Sequence, residues 1–324
     1  MTNSTSDTST FARGYSVAMI CTVVLSTTAI FIRHLTEAYH LPPLVLAFWR
    51  DAFTALALLP VLALVRPGLL CVGRCHLVYL MAYGLVLAAF NALWTLSVAA
   101  NGAAVATVLV YSSAAFTAVL GRWLLKEHLS WVKLLAVALS LGGCFLVSGA
   151  SSPAAWQTNL TGLLTGTASG LGYAAYSLMG RSASQRGLNP WTTLLYTFAF
   201  ATLSLLVINL LPGQPLPGAA ARPADLLWLG NSMAGWSILF LLAAGPTVIG
   251  FGLYNVSLQY LPSSVVNLVV TLEPAYTAVL AYFLLGEVMS GSQVGGSLLI
   301  LAGVVFLRLG KNLIAGRSGC YGQA

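Results

Sequence analysis

Ten apolar segments, each about as long as a bilayer crossing, constrain the fold of this chain more than any other feature. An α-helix rises about 1.5 Å per residue, so roughly 20 apolar residues cover a hydrocarbon core about 30 Å thick. The segments are bounded by turn residues or charges, and most of the connections between them are very short. They predict ten transmembrane helices, at residues 15–35, 43–65, 77–98, 103–125, 131–149, 159–180, 190–211, 235–257, 263–285 and 292–310.

The composition agrees with a polytopic membrane protein. Hydrophobic residues make up 58% of the 324 residues and charged residues only 6%, whereas a soluble domain carries about 25% charged residues. The net charge of +7 does not indicate a nucleic-acid partner, because no basic cluster lies on a soluble domain and most of the charges fall in short loops. We therefore expect an all-α polytopic membrane protein that is surrounded by the lipid bilayer.

Lysine and arginine are distributed unevenly between the two sides of the predicted bundle. With the N-terminus in the cytoplasm, eleven of the fourteen lie on the inner side, Arg33 and Arg222 lie outside, and Arg50 falls within a span. Cytoplasmic loops are enriched in these residues. The asymmetry predicts a cell (inner) membrane protein with both termini in the cytoplasm. The eleven inner residues are Arg13, Arg66, Arg74, Arg122, Lys126, Lys133, Arg181, Arg186, Arg308, Lys311 and Arg317.

A repeat relates the two halves of the chain. Residues 103–147 align without a gap on the residues 160 positions later. Five spans per half is an odd number, so the second copy must enter the membrane in the opposite orientation. Inverted repeats are the usual architecture of secondary transporters, whose substrate site lies at the repeat interface near the midplane. The matched residues include Thr117-Ala118-Val119-Leu120 with Thr277-Ala278-Val279-Leu280, Glu127 with Glu287, and Ser130 with Ser290.

The spans and the repeat together predict ten transmembrane helices in two inverted five-helix repeats. The expected parts are a disordered N-terminal tail at 1–14, a first repeat at 15–149, a second repeat at 159–310 and a C-terminal tail at 311–324.

One acidic residue lies near the middle of the ninth apolar segment. Glu273 is followed at once by Pro274, and a carboxylate at this depth costs roughly 2.5–3.5 kcal/mol on insertion scales. Pro274 has no N–H to donate to the carbonyl of Val270, so the helix must be kinked or locally open. Such a site is tolerated only against protein or a wet cavity. Glu273 is therefore a candidate substrate-binding and proton-coupling residue, and a structural partner for Arg50 is the alternative interpretation.

A second pair of charges falls inside the second span. Arg50 and Asp51 are adjacent, and starting the span after Asp51 would leave too few residues to cross the membrane. Arg50 could bind a substrate carboxylate, and Asp51 is a second proton-coupling candidate. The alternative is a neutral pair, Arg50 with Asp51 or with Glu273, that holds two helices together.

Polar and aromatic side chains recur within the spans. Asn91 and Trp94 are one turn apart, as are Tyr173 and Tyr176, so each pair shares a helix face. Hydrogen bonding between helices explains each residue alone, but together they predict a polar, aromatic-lined interior. The substrate-binding candidates, besides Arg50 and Glu273, are Asn91, Trp94, Tyr111, Tyr173, Tyr176, Tyr254 and Asn267.

The sequence offers little for catalysis. The four histidines fall in loops or at span ends, so none is placed to activate a serine nucleophile within a span. Cys71, Cys75 and His76 could begin a zinc site, but the further ligands are missing. We expect no enzyme activity, no cofactor and no metal.

Two clusters of residues resemble the EamA-type signature of the drug/metabolite transporter superfamily. The first comprises Glu273-Pro274, Leu284-Leu285-Gly286-Glu287, Gln293, Gly295 and Gly303. The second is Leu124-Leu125-Lys126-Glu127 with Trp131, and Arg50 resembles the arginine of that family's second span. The resemblance implies a carrier, most often an exporter of amino acids or related metabolites.

We therefore expect a secondary transporter that moves a small polar metabolite outward by alternating access. Its partners would be that substrate and the bilayer, with protons as a candidate coupling ion, and it would be a monomer or a homodimer. Two alternatives stay open: a nucleotide-sugar or drug carrier of the same superfamily, and a channel or structural membrane protein.

Overall fold

A computed structural model describes residues 3–148, 160–211, 216, 218–285 and 290–320. Its described residues form thirteen α-helices and no strand. Two short 3-10 helices, Pro67–Leu70 and Pro223–Leu227, lie in the connections. The α-helices are α1 Asn3–Ser26, α2 Thr28–Tyr39, α3 Pro43–Val65, α4 Arg74–Tyr111, α5 Ser113–Leu124, α6 Trp131–Val147, α7 Leu160–Gln185, α8 Pro190–Leu210, α9 Met233–Leu242, α10 Val248–Tyr260, α11 Ser263–Val270, α12 Glu273–Leu285 and α13 Gly291–Cys320.

The expected spans appear as long apolar helices. Eight described segments are long and apolar enough to cross a membrane: Phe11–Tyr39, Pro43–Val65, Arg74–Val98, Val105–Leu124, Pro190–Leu210, Met233–Tyr260, Ser263–Leu280 and Gly291–Leu309. A ninth apolar helix, Trp131–Val147, is shorter. The remaining expected span is α7, a 26-residue helix rich in Gly and Ser that packs closely on α4, where small residues let helix backbones approach.

Four of the crossings are interrupted part-way. The breaks lie at Thr27, at Ser112, at residues 271–272 and in the π-helical turn Ala243–Thr247. Pro246 explains the π turn, because it lacks the N–H that a regular helix needs. At Ser112 there is no proline, and the Ser112 hydroxyl instead donates to the carbonyl of Leu109 at 2.5 Å, a side-chain bond that competes with the helix. Ser112 and Leu272 are equivalent in the repeat, 160 residues apart.

Helix α4 contains two of the expected spans. A Cβ added to Gly166 of α7 would lie 2.5 Å from Ser97 Oγ and 2.9 Å from Leu109 Cβ. Twelve residues of straight helix would separate these two positions by about 18 Å. The chain must therefore turn back between Ser97 and Leu109, which gives the third and fourth spans opposite directions.

The contact between α6 and α13 displays the inverted repeat. A Cβ on Gly143 would lie 2.6 Å from the Gly296 carbonyl oxygen, and one on Gly303 would lie 2.9 Å from the Ala136 carbonyl oxygen. Gly143 is equivalent to Gly303, and Ala136 to Gly296, so exchanging the two halves maps one contact onto the other. The numbering runs in opposite directions along the two helices. The helices are therefore antiparallel and related by a two-fold axis, as an inverted repeat requires.

The two ends of the bundle are chemically different. Arg13 lies over the ring of Tyr260, and Arg181 donates to the carbonyls of Leu258 and Gln259. We call this end, which also carries Lys133, the basic side. At the opposite side the Trp228 indole donates to the carbonyl of Tyr39 at 3.1 Å.

The tails expected at 1–14 and 311–324 stay predictions, and helices are described over part of each. Helix α1 is described from Asn3, and α13 continues to Cys320. Each terminal segment is therefore continuous with the adjoining span as far as it is described. Gly286 and Glu287, two of the residues that carry the family resemblance, lie outside the described residues.

Candidate functional site

A cavity of about 500 Å³ lies between the two halves of the bundle. Helices α2, α3, α4 and α7 and the first turn of α12 all contribute side chains to it. Arg33, Ser148 and Gln293 line it at the side opposite the basic side, so its opening faces that way. It brings together six of the nine predicted substrate-binding residues: Arg50, Asn91, Trp94, Tyr111, Tyr173 and Glu273.

Glu273 occupies the first turn of α12, directly after the break at residues 271–272. Proline is tolerated in a first helical turn, where its missing N–H is not needed, so Pro274 fits the second position of α12. The break therefore places a helix N-terminus, which stabilises negative charge, at the cavity wall. The Tyr111 hydroxyl lies near the Glu273 carboxylate and interacts with it electrostatically. Glu273 is half-buried because the carboxylate lines the cavity.

Arg50 and Asp51 form an ion pair within α3. Arg50 Nε lies 3.3 Å from Asp51 Oδ1, and Asn91 Nδ2 donates to Asp51 Oδ2 at 3.1 Å. Asp51 is fully buried, whereas Arg50, which is 7% exposed, lines the cavity. This pairing agrees with the alternative interpretation of the sequence, in which Arg50 and Asp51 form a neutral pair. It leaves Arg50, but not Asp51, in contact with the cavity.

Aromatic rings form much of the remaining wall. The ring of Phe90 stacks on that of Tyr173 at a centroid distance of 5.1 Å and an interplanar angle of 11°. Trp94, on the same helix as Phe90, adds a third aromatic side chain. Aromatic walls with a few polar groups are typical of small-molecule sites.

Three predicted residues lie outside the cavity wall, in a buried layer toward the basic side. Tyr254 Oη and Ser177 Oγ are 2.6 Å apart. Asn267 Nδ2 donates to Ser177 Oγ at 3.0 Å, and Ser113 Oγ donates to Asn267 Oδ1 at 3.1 Å. Tyr176 packs on Tyr254 with ring centroids 6.0 Å apart. We call Ser113, Tyr176, Ser177, Tyr254 and Asn267 the polar layer; it lies beneath the cavity and bonds helices from both halves together.

Several cavity residues were missed from the sequence. Thr277 lies one turn after Glu273 and also lines the cavity, so the four-residue spacing could have indicated it. Phe90 and Phe251 carried no signal that distinguishes them from ordinary packing residues. Gln293 and Arg33 were placed near span ends, where exposure to water would explain them equally well.

Other parts of the described chain fit a binding site less well. A larger groove of about 950 Å³ lies between α3 and the α9–α10 region, and its lining is almost entirely apolar, as expected of a surface against lipid. Among the described residues, no group of three His, Cys, Asp or Glu side chains could hold a metal ion.

Known proteins similar to this chain are transporters, efflux pumps or exporters by name. An uncharacterised transporter of Synechocystis is 28% identical, with 71% of this chain and 66% of that protein aligned. A probable amino-acid metabolite efflux pump of Salmonella typhimurium is 26% identical over 82% of this chain and 85% of that protein. The threonine/homoserine exporter RhtA of the same species is 27% identical over 80% and 79%.

The fold also matches the crystal structure of another protein. The match has a TM-score of 0.74 at 16% identity and covers 92% of this chain and 97% of the other. At this identity the likeness concerns the fold alone. The model of the EamA-like transporter family matches the chain twice, at residues 12–149 and 160–309. This chain, with its helical halves around one polar cavity, therefore belongs to the EamA-like transporter family.

Proposed function

We propose that this transporter is a secondary exporter of a small zwitterionic metabolite of the amino-acid class, working by alternating access. The observation that carries the proposal is that a basic and an acidic side chain, Arg50 and Glu273, line one cavity between the two halves. A zwitterion carries the two complementary charges. The names of the Salmonella relatives, which refer to amino-acid metabolites and to threonine and homoserine, support this class.

The roles follow from the chemistry of each group. The guanidinium of Arg50 is a planar donor suited to a carboxylate, and the Glu273 carboxylate can accept from a substrate amine. Bound substrate then compensates the charge of Glu273, which would otherwise be costly inside the membrane, and gives Arg50 a second partner besides Asp51. Tyr111 orients Glu273 through its hydroxyl, and the stacked rings of Phe90 and Tyr173 enclose the carbon skeleton.

Direction and orientation are part of the proposal. The positive-inside rule places the basic side in the cytoplasm, so the cavity would open to the outside of the cell membrane. The polar layer beneath it then closes the cytoplasmic end. In the other state, rocking of the two halves would open that layer and close the outer end around Arg33 and Gln293.

Proton coupling is included as a hypothesis. A carboxylate that binds either a proton or a substrate amine cannot hold both at once. Release of one then allows the other to bind, which couples their transport. Glu273 is the stronger candidate, because it lines the cavity and Asp51 does not.

Counterflow in proteoliposomes tests the proposal. Vesicles containing the purified protein are loaded with an unlabelled compound, and entry of the same labelled compound is followed. We expect saturable counterflow with at least one zwitterionic amino acid and none in protein-free vesicles. Counterflow with a nucleotide sugar or a lipophilic drug, and with no amino acid, would favour the alternative carrier class. A flux that rises linearly with concentration and shows no counterflow would indicate a channel.

A further inference from the structure

Glu127 contacts the second half of the chain rather than its own. It lies in the connection after α5. Its Oε1 accepts from the backbone N–H of Ser263 at 2.7 Å and from Ser263 Oγ at 2.6 Å. Its Oε2 accepts from the N–H of Ser264 at 3.2 Å and also from the Ser264 hydroxyl. One carboxylate thus caps the N-terminus of α11, 136 residues away in sequence.

Lys133 completes the same contact. Its side chain is buried, and Nζ donates to Ser264 Oγ at 2.8 Å and to the His128 carbonyl oxygen at 2.5 Å. Ser264 therefore joins the Glu127 carboxylate, from the loop between α5 and α6, to the Lys133 ammonium group, from the first turn of α6. Charged groups in a partly buried hydrogen-bond network bind more strongly than neutral ones.

The local backbone makes room for this arrangement. A Cβ on Gly121 would lie 3.0 Å from Glu127 Oε2 and 3.2 Å from its Cδ, so a larger residue in α5 would crowd the carboxylate. Lys126 adopts a left-handed backbone with φ of 54°, and the Glu127 N–H donates to the Gly121 carbonyl at 3.0 Å. The turn thus folds Glu127 back across α5 toward α11.

The contact between Glu127 and α11 lies where it can control access to the cavity. It lies on the basic side, at the end of the bundle opposite the cavity opening, and the polar layer lies between the two. Within the described residues, Tyr176 Oη and both polar side-chain atoms of Asn255 are buried and have no partner at ordinary hydrogen-bond distance, although Tyr176 lies close enough to Asn255 to interact with it. Buried polar atoms are normally paired, and opening this end would supply them with water or substrate.

We propose that the contact between α5 and α11 is a gate on the basic side. Glu127, supported by Lys133, keeps this gate closed by capping α11. When the gate opens, the carboxylate must leave the N–H groups of Ser263 and Ser264, and α5 parts from α11. The proposal rests on the alternating access of the proposed function and adds the group that controls one of its two states. Glu127 is a positioning residue for that state, since it does not touch the cavity.

A buried cysteine reports whether the gate is open. In a background with the five native cysteines replaced by alanine, Ser177→Cys places a thiol in the polar layer, at a position that is fully buried here. A membrane-impermeant maleimide is added to sealed vesicles of each orientation, and the labelling rate is measured. Glu127→Gln should raise the rate from the basic side by about tenfold, because the amide puts an N–H donor where the N–H groups of α11 require an acceptor.

The matched control is Asp225→Asn, which removes an acid paired with Arg222 in the opposite, exposed loop; its labelling rate should equal that of the parent. If Glu127→Gln does not fold, Ser263→Ala combined with Ser264→Ala serves instead. That variant keeps the backbone donors and should give about a threefold increase. Rates equal to the parent in whichever of the two variants folds would overturn the gate proposal. Counterflow by the unaltered protein tests the proposed function separately, so the two failures are distinguishable.

Discussion

Gly143 of α6 and Gly303 of α13 are equivalent residues of the two halves, and each lets the backbone of the other half's helix approach it. A Cβ on Gly143 would lie 2.6 Å from a carbonyl oxygen, and one on Gly303 would lie 2.9 Å from another. Backbone atoms cannot swing aside as a flexible side chain can. The contact between α6 and α13 therefore requires that neither Gly143 nor Gly303 carries a side chain.

We predict that Gly143→Val destabilises the folded protein by about 2–3 kcal/mol, because overpacking a close helix contact forces the backbones apart. Thermal unfolding of the purified protein in detergent measures the effect as a lower Tm. Gly295→Val is the matched control on the same pair of helices, since nothing lies within 4 Å of a Cβ at that position. Equal Tm values for the two variants would contradict the close packing of α6 on α13.

Removing the Glu273 charge should impair transport more than it impairs folding. Removing Arg50 should also destabilise the fold, because it leaves the buried Asp51 without its ion-pair partner. A hydrogen bond to a charged group contributes about 1.5–3 kcal/mol, so we predict that Arg50→Gln and Glu273→Gln each lower counterflow efficiency by about 10- to 100-fold. Both side chains line the cavity, so a substrate bond is lost in each variant. The measurement is initial counterflow rate at several substrate concentrations.

Arg222→Gln is the control for those two variants, because its side chain is 81% exposed in the connection between α8 and α9. Its counterflow should match that of the unaltered protein. An unchanged rate in Glu273→Gln, with the protein still folded, would mean that this acid is only structural.

Replacing Asp51 should reduce the stability of the protein more than its affinity for substrate. It is fully buried and bonded to Arg50 and Asn91, and removing one partner of a buried ion pair costs about 3–5 kcal/mol. We predict that Asp51→Asn lowers the Tm in detergent markedly, while the protein that remains folded keeps a KM close to the original. A stable Asp51→Asn protein that had lost only its pH-driven transport would instead assign proton coupling to this residue.

The sequence predicted the features that depend on local composition. Apolar length indicated the spans, and charges inside apolar segments indicated Arg50 and Glu273, because a charge in a membrane needs a specific reason to be there. Six of the candidate residues meet in one cavity. The fixed offset of 160 residues indicated an inverted pair, and the equivalent packing of Gly143 and Gly303 is its structural counterpart.

Other features depend on which helices meet, and no local pattern reports that. Tyr254 and Asn267, like Asn91, are polar residues within apolar segments. They lie in the polar layer and not in the cavity wall, because α10 and α11 pack beneath the cavity. Glu127 contacts α11 of the other half, and its position in a loop of the first half does not indicate that contact. Phe90 lines the cavity only because α4 presents it to Tyr173, and the sequence does not distinguish it from other core phenylalanines.

A last prediction concerns the driving force. If one carboxylate alternately binds a proton and a substrate amine, an inward proton gradient should accelerate export, and Glu273→Gln should remove that acceleration because the amide binds no proton. Transport by proteoliposomes with and without an imposed pH gradient measures this at constant membrane potential. Asp51→Asn, so far as it folds, should keep its response to the gradient, since Asp51 does not line the cavity. Equal rates with and without the gradient in the unaltered protein would exclude proton coupling and leave Glu273 the single role of holding the substrate amine.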